Sequence, residues 1–126
     1  MKVVHHSNYI RWMEEARVYY LDKWGYNFRD LEESGLVSPV VSVTGRFVTS
    51  AEFTDEIIIY IGVSDLKSAK FVMNYRMIRE SDGALVFEGE SVHCFIREDR
   101  SIIRLERDLP GLYNKLKELK EQKDPD

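Results

Sequence analysis

The sequence contains one cysteine, Cys94, three prolines, and no apolar run approaching the ~20 residues that a membrane helix needs. A single cysteine excludes an intramolecular disulfide and a cysteine-rich zinc site. The N-terminus also lacks the apolar core of a secretory signal. We therefore predict a cytoplasmic protein that does not insert into a membrane.

The sequence also has no excess of positive charge and lacks several catalytic and nucleotide-binding motifs. The chain has 18 basic and 22 acidic residues, whereas a general nucleic-acid binder carries an excess of positive charge. A Gly-x-Ser-x-Gly elbow, a P-loop and a glycine-rich dinucleotide loop are missing. Their absence excludes α/β-hydrolase thioesterases, nucleotide hydrolases and nicotinamide enzymes. We see no cluster of metal-ligating residues and predict neither a metal nor a resident cofactor.

What is present is enough for a packed core. The 126 residues are 44% apolar and 12% aromatic, which is typical of a globular protein and not of a disordered one. This length predicts a single domain over residues 1–126.

The first quarter of the chain has the period of an amphipathic helix, predicted over residues 7–23. Ser7 and Asn8 are good N-cap residues, and Gly25 is a suitable stop. At 100° per residue, one face carries Tyr9, Met13, Ala16, Tyr20 and Trp24. The spacing also favours surface ion pairs from Arg11 to Glu15 and from Glu14 to Arg17.

The remaining chain changes to a period of two and predicts an α+β protein. A short helix over 27–34 comes first. Strands are predicted over 40–49, 57–63, 69–79, 84–97 and 101–105. The second of them is apolar on both sides, which predicts a strand covered on both faces. Gly45 marks a bulge or a close approach to another backbone. Asp108 should cap a final helix with Pro110 in its first turn.

The N-terminal segment resembles the acyl-CoA thioesterases of the hot-dog fold, in the 4-hydroxybenzoyl-CoA thioesterase-like, Tol-Pal-associated branch. The family pattern is Asp-x-x-Gly-x-Val-x-His-x-x-Tyr, followed by a helix ending in Glu-x-Ala-Arg. The matching residues are Val4, His6, Tyr9, Glu14, Ala16 and Arg17. The family's glycine falls on Lys2, and its catalytic aspartate falls two positions before Met1. Either the start of this sequence has been placed downstream of the natural one, or the chain resembles an N-terminally shortened member.

This resemblance implies an antiparallel sheet wrapped around a long central helix, with the family's first edge strand missing here. It also implies a homo-oligomer, either dimer or tetramer, that hydrolyses acyl-CoA to free acid and CoA. Because the aspartate is absent from this sequence, we expect weak or no turnover. A non-catalytic acyl-CoA-binding or assembly module on the same fold is the alternative.

The resemblance also nominates the site residues. The backbone N–H of His6 would polarise the thioester carbonyl, with a possible side-chain role, unless Ser7 or Asn8 merely caps the helix. Substrate contacts are expected from His5, Ser7, Asn8, Tyr9 and Met13, and candidates for the CoA phosphates are Arg46, Arg97, Arg100 and Arg104. If a single role is assigned, Tyr9 is better explained as a core aromatic, and each arginine taken alone as part of a solvated strand face. Glu14 is either a substitute base or a structural partner of Arg17 or Arg11.

Overall fold

The computed structural model describes residues 6–122, with side chains from residue 8 onwards. Its first element is helix α1 (His6–Lys23). The helix begins one residue earlier than predicted, so Ser7 and Asn8 lie within the first turn and are not N-caps. It stops at Gly25 as expected: this residue has φ +89°, and the N–H of Tyr26 donates to the Leu21 carbonyl at 2.8 Å. That pairing closes the helix with a Schellman motif.

The buried stripe of α1 runs through four residues spaced by four, which are Tyr9, Met13, Arg17 and Leu21. Of the predicted apolar face, Tyr9 and Met13 are buried, whereas Ala16, Tyr20 and Trp24 are only half-buried. The exposed Arg11–Glu15 pair is present at 3.8 Å. The prediction of a surface role for Arg17 is wrong, because its side chain is only 5% exposed. Charged residues are almost never fully buried, so the pattern favoured the solvent side.

Helix α2 (Phe28–Glu33) follows, with the Asn27 side chain accepting the N–H of Asp30 at 2.9 Å. The strands are β1 (Leu36–Val37), β2 (Val40–Phe47), β3 (Ile57–Leu66), β4 (Lys70–Arg79), β5 (Leu85–Cys94) and β6 (Ile96–Arg97). The main sheet is antiparallel with the order β2-β5-β4-β3, and β1 pairs with β6 in a second, two-stranded sheet. The α+β prediction is therefore confirmed.

The inner face of the main sheet is built from alternate residues. On β4 these are Phe71, Met73, Tyr75 and Met77, all at most 2% exposed, as the alternation predicted. Strand β3 differs from its prediction, because it is an edge strand and its residues are mostly half-exposed. An apolar run does not by itself distinguish a central strand from an edge strand.

The C-terminal third departs furthest from the predictions. The strand expected over 84–97 breaks at Phe95, and the strand expected over 101–105 is reduced to one bridge between Ile96 and Ile102. Helix α3 (Leu105–Asp108) takes its place and is followed by α4 (Pro110–Glu121). Pro110 opens α4 as predicted.

Asp108 does not cap α4, because it ends α3. Its carboxylate accepts the backbone N–H of Arg104 at 2.9 Å. It also lies 3.4 Å from the Arg97 guanidinium. Leu109 occupies the N-cap position of α4 instead. A short polar residue before a proline is typical of a cap, but here the preceding turn already uses its carboxylate.

Two facing glycines make room for the groups that pack on the inner face of the sheet. Gly45 on β2 pairs directly with Gly89 on β5. A Cβ on Gly45 would collide with the ring of Phe87, so the predicted close approach is to a ring and not to a backbone. The predicted bulge lies elsewhere, between Val40 and Ser42. A Cβ on Gly89 would lie 2.8 Å from the Thr44 carbonyl oxygen and 3.1 Å from Cε of Met13.

Replacing Gly89 by alanine should therefore destabilise the fold. We expect a loss of about 1–3 kcal/mol in the free energy of unfolding, because the new methyl group meets a backbone atom that cannot move aside. Urea unfolding measures the change. The exposed neighbour Glu90 provides the control, since Glu90→Ala should change the free energy by less than about 0.5 kcal/mol. Equal effects of the two substitutions would contradict this account.

Candidate active site

The N-terminal end of α1 is the first part of the candidate site. His6 is the first helical residue, and the N–H groups of a first helical turn have no partner within the helix. They also lie at the positive end of the helix dipole, which favours an anion. The first turn contains no acidic residue. His5 and the side chains of His6 and Ser7 lie outside the described residues, so their predicted substrate contacts stay predictions.

An aromatic cluster adjoins this helix end. Tyr9 stacks on Phe87 with ring centroids 5.2 Å apart and meets Phe47 edge-on at 5.5 Å. It also meets Trp12 edge-on at 5.3 Å. Tyr9 is 3% exposed, whereas Phe47 is 53% exposed. Tyr9 is thus a core aromatic that also supports a wall open to solvent at Phe47. Burial raises the pKa of the Tyr9 hydroxyl.

The four arginine candidates are not brought together. Arg46 lies in a cross-strand row with Glu88, Arg76 and Tyr60, on the face of the sheet away from α1. Its Nε donates to Glu88 at 2.8 Å. The row lines a trough of about 600 Å³.

The other three arginines lie near the turn after β6. Arg104 donates to the Ser68 hydroxyl at 3.1 Å, and Arg97 is paired with Asp108. Arg100 occupies the turn itself with φ +71°. Their predicted contacts with CoA phosphates stay predictions.

A buried polar cluster between α1 and the sheet was not predicted. The Ser91 hydroxyl lies 2.8 Å from the Tyr75 hydroxyl and 2.6 Å from Nε2 of His93. Arg17 completes the cluster, with its guanidinium 5.1 Å from the centre of the Phe28 ring. The period of two in the sequence could have predicted it, because Ser91 and His93 lie on the same face of β5 as the buried Phe87.

Burial sets the charge of this cluster. Burial, and then the nearby Arg17, lower the pKa of His93 from 6.5 to about 3. Burial likewise lowers the pKa of Arg17 and raises that of Tyr75. At neutral pH His93 and Tyr75 are therefore uncharged, while arginine keeps its charge at the pH values proteins meet. Glu14 is exposed and lies at the mouth of the same pocket.

Residues 6–122 contain neither a candidate metal centre nor a candidate membrane span. No group of three or more metal-ligating side chains lies close enough together to hold an ion. No helix in this part of the chain combines the length and the apolar character needed to cross a membrane.

Comparison with known proteins assigns the family. A profile of the thioesterase-like superfamily matches residues 1–122. The chain belongs to this superfamily. YneP of Bacillus subtilis, provisionally named an acyl-CoA thioesterase, is 26% identical to this thioesterase-like chain over 111 residues, covering 87% of it and 80% of YneP.

Solved structures agree with this assignment and confirm the hot-dog fold. A DHNA-CoA thioesterase from Staphylococcus aureus is 30% identical with a TM-score of 0.81, covering 94% of this chain and 82% of that one. A hypothetical protein from Thermus thermophilus is also 30% identical, with a TM-score of 0.79 and coverage of 94% and 88%.

The depressed pKa of His93 predicts a loss of stability in mild acid. The unfolded chain binds a proton near pH 6.5, whereas the folded chain resists it until about pH 3. The free energy of unfolding should therefore fall as the pH drops below 6.5. The slope approaches about 1.4 kcal/mol per pH unit.

Chemical unfolding of the wild type and His93→Gln at about pH 7 and about pH 5.5 measures this. We expect the wild type to lose about 1 kcal/mol more than the variant between the two conditions. Parallel losses in the two proteins would show that His93 is not the group responsible.

Proposed function

We propose that this protein hydrolyses acyl-CoA thioesters to the free acid and CoA. The observation that carries the proposal is the N-terminal end of α1 at His6 beside the aromatic wall of Tyr9 and Phe47, in a chain of the thioesterase-like superfamily. The Staphylococcus aureus relative, named for a CoA thioester, supports this substrate class. Membership of the Tol-Pal-associated branch and a cytoplasmic location are further proposals.

The geometry suits one step of that reaction in particular. Water adds to the carbonyl carbon, and the carbonyl oxygen becomes an anion. The N–H at His6 would donate to this oxygen, and fixed donors aimed at a developing charge lower the barrier most. The C–S bond then breaks, and the sulfur of CoA takes up a proton. In the family that this chain resembles, an aspartate activates the water.

Replacing His6 by proline tests the backbone donor without removing the helix. Proline lacks the N–H but is well tolerated at the first helical position. We expect His6→Pro to lower kcat by about 100-fold, as measured by release of free thiol from short, long and aromatic acyl-CoAs.

His6→Ala keeps the N–H and is the matched control. It should retain most of the turnover if the backbone is the donor. Equal losses in the two variants would instead assign the role to the imidazole. Absence of turnover in the wild type on every acyl-CoA would contradict the proposed hydrolysis and favour the alternative of a non-catalytic acyl-CoA-binding module.

We also propose that the protein is a homo-oligomer. Strand β2 is an edge strand that is exposed along its whole length, and it carries Val40, Val41, Val43 and Phe47, each at least 39% exposed. Exposed apolar edge strands pair readily with other chains, and native proteins normally cover them. A second copy would extend the sheet through β2.

Light scattering coupled to gel filtration tests this proposal. We expect a mass of at least twice the 14.8 kDa of one chain, and a shift towards the monomer in Val41→Glu because a charge would be buried at the edge. Ser64→Glu on β3, at the opposite edge, is the control and should leave the mass unchanged. A monomeric wild type at micromolar concentration would overturn the proposal.

A further inference from the structure

The buried polar cluster lies at the end of a small pocket between α1 and the sheet. Its inner end is formed by Arg17, Ser91 and His93, and its mouth by Val40 and Val43 of the exposed edge strand. The free volume is about 10 Å³, roughly what one water molecule requires. The pocket can therefore admit a single polar atom and not a whole ligand.

Two groups in this pocket are chemically unsatisfied. Among the described residues, neither Nη1 of Arg17 nor Nδ1 of His93 has a hydrogen-bond partner, although the two side chains are 5% and 1% exposed. The Ser91 hydroxyl already links Tyr75 to His93. A buried donor without an acceptor is costly, and more so when it carries charge. Since Arg17 can only donate, the missing partner must accept a hydrogen bond.

The position of the pocket connects it to the candidate active site. Ile10, Met13, Glu14 and Arg17 line it from α1, the helix that begins at His6. Met13 lies seven residues beyond His6, which is about 10 Å along the helix axis. A group whose carbonyl is held at the helix N-terminus could thus extend along α1 and reach the pocket with its far end.

We propose that this pocket receives a hydrogen-bond-accepting oxygen at the far end of the acyl group. The proposal rests on the proposed function and names the substrate class: acyl-CoAs with a hydroxyl or other acceptor oxygen remote from the thioester. Arg17 is the specificity-determining residue, because its unused N–H selects for that oxygen. A site built to hydrogen-bond a substrate group discriminates strongly against analogues that lack it.

Binding of non-hydrolysable CoA thioethers, measured by calorimetry, tests the pocket separately from turnover. The probes form two pairs that differ by one oxygen: octyl-CoA with ω-hydroxyoctyl-CoA, and benzyl-CoA with 4-hydroxybenzyl-CoA. We expect the hydroxylated member to bind about tenfold or more tightly in at least one pair, the usual effect of a hydrogen bond to a charged group.

Arg17→Met should abolish that preference while the apolar analogue still binds. Arg11→Met, on the exposed side of the same helix, should retain the preference. Ser91→Ala is a second variant that removes only a hydroxyl group and leaves Arg17 in place. It should weaken the preference, because the His93 ring loses its hydrogen bond.

Two outcomes would overturn the inference, and they are distinguishable from failure of the proposed function. Equal affinity within both pairs would mean that the pocket holds water and no ligand atom. A preference that survives in Arg17→Met would assign the selection to another group. Failure of all four thioethers to bind would instead contradict the proposed use of CoA substrates.

Discussion

The close packing of α1 on the inner face of the sheet is the constraint on which the rest of this structure depends. Gly89 lets Met13 approach the β5 backbone, and Gly45 makes room for the ring of Phe87. Because the helix lies this near, Tyr9 stacks on Phe87 and anchors the end that begins at His6. The same approach brings Arg17 beside Ser91 and His93. The aromatic wall and the polar pocket therefore follow from one interface.

Much of the fold follows from local periodicity. The period of α1 and the alternation of β4 are strong because each element buries one face against the same core. The errors occur where a tertiary partner decides the outcome. Strand β3 has the composition of a central strand but lies at an edge, and Asp108 has the chemistry of a cap but is held by Arg104 and Arg97. Sequence spacing carries no information about such partners.

The candidate site divides along the same line. The N-terminal end of α1 was predictable, because both the helix start near His6 and the motif around Tyr9 depend on residues that are adjacent in the sequence. The polar cluster combines residues from α1, β4 and β5 that lie far apart in the sequence. Arg17 was also assigned to the surface, since its charge outweighed its position in the i, i+4 row. The pocket can be recognised only from the structure, which shows that Arg17 is buried together with the rest of the i, i+4 row of α1.

The buried guanidinium of Arg17 also bears on how this protein would respond to engineering. Replacing a buried ionic group by an apolar one of similar size is often neutral or stabilising, and stabilising changes commonly reduce function where a site is held in an unfavourable state. A library screened for heat resistance alone would therefore tend to accept an aliphatic residue at this position. The resulting heat-resistant protein would keep its fold and lose the preference of the pocket for a hydrogen-bond-accepting oxygen.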